Sequence, residues 1–201
     1  MTALNPGIQF RETMSGGFSL ETIDYKIGCE QGQWAGTELA MHAQVDIDDI
    51  DQFISDRAHP GRLSGSIDFP PMGKGIQAHS GLFNLFYPSD DPTVKLMVYE
   101  LGFVHQGQQY YLAGKKEVRD DTGFDLWSDT TTLYTSLHSG TDKSAQVVGA
   151  GILRLGVTDL IRLVSTINVL NAESAADKLK TVGKFGHFFM GELWDTYAKH
   201  F

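Results

Sequence analysis

The side chains best suited to chemistry crowd into residues 114–134, where acidic, basic, aromatic and hydroxyl groups lie between two predicted strands. Asp129 offers a carboxylate, Tyr134 a phenol and His138 an imidazole, and these groups are the candidates for a general acid and base. Tyr134 and His138 have the same parity along a predicted strand over residues 130–138, so they share one of its faces. If that face points into a cavity it forms a site, and if it points outward it is a polar surface.

A second set of side chains is typical of a pocket for an apolar molecule. Aromatic rings would wall such a pocket, and a few polar groups would orient the ligand. The predicted ligand-binding residues are Arg119, Trp127, Tyr134, His138 and Phe189.

We predict no metal site and no cofactor. The seven histidines form no HExxH or HxH pair, and Cys29 is the only cysteine, so the spacing of zinc ligands is absent. Asp120, Asp121, Asp125 and Asp129 lack the alternating spacing and terminal glutamate of an EF-hand loop, which favours turn capping over calcium binding. The sequence has no nucleophile elbow, phosphate-binding loop or dinucleotide fingerprint.

The elements that would position these groups are mostly strands. Period-two alternation of apolar residues dominates residues 8–155 and predicts seven or eight strands joined by turns rich in glycine and aspartate. One short helix is predicted over residues 48–57. Residues 13–18 have the composition of a turn, and no helix is evident after them.

After Gly156 the apolar residues recur every three or four positions, which is typical of helices. The pattern predicts one helix capped by Thr158 and ending near Asn171, and another capped by Ser174. A further helical segment follows, weakened by glycines and held by tertiary packing. Its apolar stripe consists of Phe185, Phe188, Phe189, Leu193 and Tyr197.

These elements predict a single domain over residues 1–201, with a β region at about 8–155 and a helical part at about 157–201. The fold class is mainly β with added helices (α+β). It is a strongly curved antiparallel sheet or a closed barrel of about eight strands, with the C-terminal helices docked on it. A barrel wide enough for a small ligand needs about eight strands.

Charge and hydropathy narrow the classes of partner. Lysine and arginine number 16 against 25 acidic residues, a formal charge of −9, which argues against binding nucleic acid through phosphate neutralisation. The N-terminal residues show no basic region followed by an apolar stretch, so we expect no signal peptide. No apolar run of about 18 residues occurs, so we predict no membrane span. The single cysteine requires no oxidising compartment, and the expected protein is soluble and cytoplasmic.

Six blocks of the sequence resemble a known accessory region. The blocks are FRETMSGGF (10–18), HPGRLSGSID (59–68), GKK (114–116), GFDLWSDTTTLY (123–134), GILR (151–154) and FGHFFMGELW (185–194). They look like part of bacterial cholesterol-oxidase-like proteins of the glucose-methanol-choline oxidoreductase superfamily. The flavin-binding domain of those proteins is not in these residues, and no catalytic residue is carried over. The resemblance implies a setting of sterol, terpenoid or other apolar-lipid metabolism.

Three functional hypotheses remain open at this point. The first is a binding or accessory module for an apolar small molecule. The second is a cofactor-free isomerase, cyclase or lyase that uses Asp129, Tyr134 or His138 as acid and base. The third is a protein-interaction subunit that docks on a partner oxidoreductase.

Overall fold

The computed structural model of the chain describes residues 4–20, 22–119 and 126–197. The strands are β1 (Gly7–Ser19), β2 (Glu38–Ile47), β3 (Pro60–Phe69), β4 (Gly73–Pro88), β5 (Val94–His105), β6 (Gln108–Arg119), β7 (Thr132–His138), β8 (Val147–Arg154) and β9 (Asn168–Leu170). The helices are α1 (Tyr25–Ala35), α2 (Ile50–Ser55), α3 (Leu126–Thr131), α4 (Val157–Ser165) and α5 (Ala175–Tyr197).

The described strands β1 to β8 form a closed barrel of eight antiparallel strands. Each strand pairs with the next one along the chain, and β1 pairs with both β2 and β8, so the sheet closes on itself. The short β9 is a ninth strand attached to β1. The structure thus confirms the predicted fold class and decides between its two forms, because the sheet is a barrel rather than an open curved layer.

Closure of the barrel is complete at only one end of the seam between β1 and β8. These strands pair from Ser15 to Ser19 of β1, whereas β9 takes the same edge of β1 at Gly7 to Gln9. Between these two stretches, the Thr166 hydroxyl accepts a hydrogen bond from the Arg11 amide at 2.9 Å. The wall therefore parts at this end of the barrel, and the chain of α4 and β9 covers the opening.

Alternation along the strands fills the other end of the barrel with side chains. On β2 the inward residues are apolar and buried, and they join one core cluster with inward residues of the remaining strands. Phe18 and Phe69 pack edge to face there, with ring centroids 5.4 Å apart. This end of the barrel is a packed core, and its packing stabilises the fold while the other end stays more open.

Helix α1 is an element that the sequence analysis missed, and the prediction of a turn over residues 13–18 was wrong. Those residues belong to β1, and α1 follows with Asp24 as its N-cap, whose carboxylate accepts from the amides of Lys26 and Ile27. The helix lies on the barrel through glycines, since a Cβ on Gly32 would overlap the Phe18 backbone. Contacts made by glycine leave no apolar stripe, so periodicity could not reveal this helix.

Several predicted boundaries change at the C-terminal end of the chain. The helix predicted to be capped by Thr158 instead has Gly156 as its N-cap and ends at Ser165, and β9 replaces its second half. Pairing with β1 is a long-range contact, which local periodicity does not report. Ser174 does cap α5, because its hydroxyl accepts from the Asp177 amide at 3.1 Å. The two helical segments predicted after it are one helix.

Smaller differences affect the other predicted elements. The short helix expected over residues 48–57 is confirmed as α2, with Asp49 as its N-cap. The strand predicted over residues 130–138 begins at Thr132 instead, and α3 takes its first residues.

The glycine contact between α1 and β1 gives a stability prediction. We expect Gly32→Ala to lower the free energy of unfolding by about 1–3 kcal/mol, because the added methyl must displace backbone atoms of β1. Gly183→Ala in α5 is the matched control. A Cβ there meets no described atom within 4 Å, so that variant should gain up to about 1 kcal/mol of helix propensity. Urea unfolding measures both, and equal stability of Gly32→Ala and wild type would contradict the docking of α1.

Candidate functional site

The open end of the barrel holds a cavity of about 630 Å³. Its barrel wall consists of side chains that point inward from β1, β4, β5 and β6. The described wall residues are Phe10, Glu12, Phe83, Leu85, Met97, Tyr99 and Lys116, with Thr130, Thr131 and Leu155 at the seam. Most of this surface is apolar, as expected of a pocket for a small organic molecule.

Two helices complete the wall where the strands part. Helix α4 and the residues after it contribute Leu163, Val164 and Ile167. The residues from α5 are Val182, Phe185, Gly186, Phe189, Met190 and Leu193. The helical tail is therefore part of the site and not only a cover for the barrel.

Aromatic contacts and ion pairs fix α5 over the cavity. Phe188 packs edge to face on Phe53 of α2 at 5.6 Å, and Phe189 lies 5.5 Å from Phe86 of β4. On the rim, Lys95 donates to Glu192 at 2.6 Å, while the Lys184 ammonium contacts Asp51 of α2. Anchors on both α2 and β5 hold the apolar face of α5 toward the cavity.

A cluster of three polar side chains lies within this apolar wall. Glu12 of β1 and Lys116 of β6 form an ion pair with 3.8 Å between Oε2 and Nζ. The Lys116 ammonium also donates to the Tyr99 hydroxyl at 3.3 Å and lies 4.8 Å from the centroid of the Tyr99 ring. All three residues contribute to the lining of the cavity.

This cluster is almost fully removed from water. The side chains of Glu12 and Lys116 are 1% and 3% exposed. Oε1 of Glu12 is buried without a hydrogen-bond partner among the described residues. Burial lowers the pKa of the Lys116 ammonium, although the Glu12 carboxylate acts against that change. Burial and then the charge of Glu12 raise the pKa of the Tyr99 phenol well above its ordinary value.

The sequence analysis selected none of these three residues, although the pattern held a signal. Inward positions alternate along β1, where Phe10, Met14 and Phe18 are apolar and Glu12 is charged. Lys116 breaks the same alternation between Gly114 and Val118 on β6. A charged residue on the apolar face of a strand is rarely placed in a core without a partner or a function.

The residues chosen from the sequence do not come together in one site. Arg119, Asp129 and Tyr134 meet around a small concavity of about 40 Å³ outside the barrel. There the Arg119 amide donates to Asp129 Oδ2 at 3.1 Å, and its guanidinium pairs with Glu117. Phe189 alone lines the large cavity. The side chain of Trp127 lies outside the described part of the structure, as do Asp120, Asp121 and Asp125.

The polar face of β7 points away from the barrel interior. Leu133 and Leu137 join the core, so Tyr134 and His138 lie on the outer side, where Tyr134 packs against Tyr25 of α1 at 5.8 Å. His138 is buried, with Nε2 2.9 Å from the Ser136 hydroxyl and Nδ1 2.9 Å from the Ala145 carbonyl. Both ring nitrogens are thus occupied by structural hydrogen bonds.

A second concavity lies on the outer surface of β1, β2 and β3. His42 connects two neighbours there, with Nδ1 3.1 Å from the Thr13 hydroxyl and Nε2 3.4 Å from Asp68. The His42 side chain is 42% exposed, so water screens these contacts. This groove is a weaker candidate than the barrel cavity because most of the residues that line it are polar and at least partly exposed to solvent.

The described helices include none that is long and apolar enough to cross a membrane. Comparison of the chain with protein-family models, with curated proteins and with solved structures gives no match. The resemblance to the accessory region of cholesterol-oxidase-like proteins therefore stays a prediction.

The ion pair gives a prediction about stability. We expect Glu12→Met and Lys116→Met each to lower the free energy of unfolding by about 3–5 kcal/mol, because each leaves one buried charge without its partner. The double variant E12M/K116M removes both charges and keeps similar volume, so it should lie within about 1 kcal/mol of wild type or above it. Urea unfolding of the four proteins forms a double-mutant cycle. Additive costs in that cycle would show that the two groups do not interact.

Proposed function

We propose that this protein binds an apolar small molecule inside the barrel, in the space between β1, β4 to β6 and the helices α4 and α5. The observation that carries the proposal is the cavity of about 630 Å³ with its mostly apolar wall. Protein interiors are packed densely, with few voids larger than a water molecule, so an unfilled core of this size needs another explanation. Binding sites for small organic molecules span about 300–1,000 Å³, and this volume lies within that range.

An entrance between the two helices supports the same proposal. Val164 of α4 and Met190 of α5 line the cavity, yet they are 60% and 62% exposed. Side chains that face both the cavity and the solvent mark the mouth of the pocket. Helix–helix contacts can separate more easily than paired strands, so a ligand would enter between α4 and α5.

The class of ligand is proposed from the sequence resemblance together with the shape of the site. Cavity residues come from four of the six matching blocks: Glu12 from 10–18, Lys116 from 114–116, Thr130 from 123–134 and Phe189 from 185–194. A sterol, a terpenoid or another lipid-like molecule fits a pocket with apolar walls and one polar cluster. The setting that the resemblance implies makes an oxidoreductase the proposed partner of this module.

Two glycine positions on α5 allow a matched test. A Cβ at Gly186 or Gly183 would meet no described atom within 4 Å, but only Gly186 lines the cavity. We expect Gly186→Leu to fill the pocket and weaken the binding of Nile red, a neutral apolar dye, about tenfold or more. Gly183→Leu should leave the affinity unchanged while gaining the same helix propensity.

The readout for this pair is a fluorescence titration with Nile red, with thermal unfolding as the check on folding. Equal affinities of the two variants would contradict binding in the barrel, and failure of the wild type to bind would contradict the proposal itself. Native mass spectrometry of the gently purified protein, followed by organic extraction, would identify any natural ligand.

Cofactor-free acid–base catalysis is a second candidate, favoured by the unpartnered carboxylate oxygen of Glu12 in the cavity. A buried carboxylate beside an ammonium and a phenol can accept a proton from a bound molecule while its neighbours stabilise the resulting charge. Asp129, Tyr134 and His138, the candidate acids and bases predicted from the sequence, do not line this cavity. This candidate therefore places the chemistry on Glu12, Lys116 and Tyr99.

Incubation of the liganded protein in deuterium oxide tests the catalytic candidate. Deuterium on carbon in the extracted ligand, present with wild type and lost with E12M/K116M, is the expected result. A ligand without carbon-bound deuterium would favour binding alone.

A further inference from the structure

One oxygen of the buried Glu12 carboxylate has no hydrogen-bond partner among the described residues. Oε2 faces the Lys116 ammonium, while Oε1 is buried with no partner among the described residues. Leaving a buried charged acceptor unsatisfied is costly, and native proteins seldom retain such a group without a purpose. Because Glu12 lines the cavity, a ligand is in position to supply the missing donor.

Lys116 brings donors to the same place. An ammonium has three N–H groups, and among the described residues Nζ makes one hydrogen bond, to the Tyr99 hydroxyl at 3.3 Å. Its distance of 3.8 Å to Glu12 Oε2 is too long for a hydrogen bond. The cluster therefore presents an acceptor and a donor side by side to whatever occupies the cavity.

Common polar groups of lipid-like molecules differ in how they suit this pair. A carboxylate could accept a hydrogen bond from Lys116, but the negative charge of Glu12 would repel it. A cationic amine could donate to Glu12, but the positive charge of Lys116 would repel it. A ketone or an ether accepts a hydrogen bond without donating one, so Oε1 would remain unsatisfied. A hydroxyl is neutral, donates one hydrogen bond and accepts others, and thereby matches both groups at once.

We propose that the ligand is an apolar alcohol whose hydroxyl donates to Glu12 Oε1 and accepts from Lys116 Nζ. This inference rests on the proposed function, since it needs a ligand in the barrel cavity, and it adds the chemical class of that ligand. The hydroxyl anchors the molecule at the polar cluster, and its apolar body extends along Phe83, Met97 and Phe185 toward the mouth between α4 and α5.

Three matched probes test the hydroxyl in the wild-type protein. Farnesol, its methyl ether and farnesoic acid share one apolar chain and differ at the end that would meet Glu12 and Lys116. Dissociation constants come from displacement of Nile red. We expect farnesol to bind about tenfold more tightly than the ether, because a hydrogen bond to a charged group is lost in the ether. The acid should bind more weakly than farnesol.

Two variants assign the preference to the cluster. In E12M/K116M we expect the ratio between the ether and farnesol constants to fall to about one, while Nile red still binds in the apolar cavity. Glu100→Gln is the matched control. Glu100 is also a buried carboxylate of the barrel, but it bonds to Tyr111 on another face and does not line the cavity. That variant should keep the wild-type ratio.

The outcomes separate this inference from the function on which it rests. Equal binding of farnesol and its ether would mean that water rather than the ligand satisfies Glu12, and it would overturn the inference while leaving apolar binding intact. Tightest binding of the acid, or a preference for farnesol that survives in E12M/K116M, would overturn it as well. Failure of Nile red and of every probe to bind would overturn the proposed function together with the inference.

Discussion

The incomplete pairing of β1 with β8 is the constraint on which the rest of the structure depends. Where the two strands pair, the barrel is narrow enough for side chains to fill it, and Phe18 and Phe69 do so. Where they part, strand edges and inward apolar side chains would face water, which is unfavourable for both. The chain after β8 resolves this problem with α4, β9 and α5. One gap in a ladder thus accounts for both the C-terminal helices and the cavity beneath them.

Burial of the ion pair between Glu12 and Lys116 carries a desolvation cost, whereas apolar packing at the closed end of the barrel stabilises the fold. Desolvation of two charges is expensive, and their attraction at 3.8 Å offsets it only in part, so apolar residues of similar volume would serve folding at least as well. Evolutionary selection for stability alone has no reason to keep this arrangement. Its position on the wall of a cavity, next to Tyr99, supports the proposal that it recognises or transforms a bound molecule.

Sequence patterns predicted the barrel because strands and helices repeat with different periods, and the strand period dominates residues 8–155. They missed α1 because Gly28 and Gly32 make its contacts, and they extended the helix after Gly156 through β9 because only pairing with β1 defines that strand. The candidate site was harder still. Tyr134 and Phe189 were both selected by residue type, yet only the closed barrel decides that Phe189 lines the cavity and Tyr134 lies outside it.

Glycines illustrate how packing and function can be separated in this fold. Gly17, Gly28 and Gly32 stand where a Cβ would overlap the backbone of a neighbouring element, so close packing explains them. Gly186 has no such neighbour, and alanine there would add about 1 kcal/mol of helix propensity. Stability alone therefore favours a larger residue at this position. Since Gly186 lies on the wall of the cavity, a larger side chain there would reduce the space in which we propose that a ligand binds.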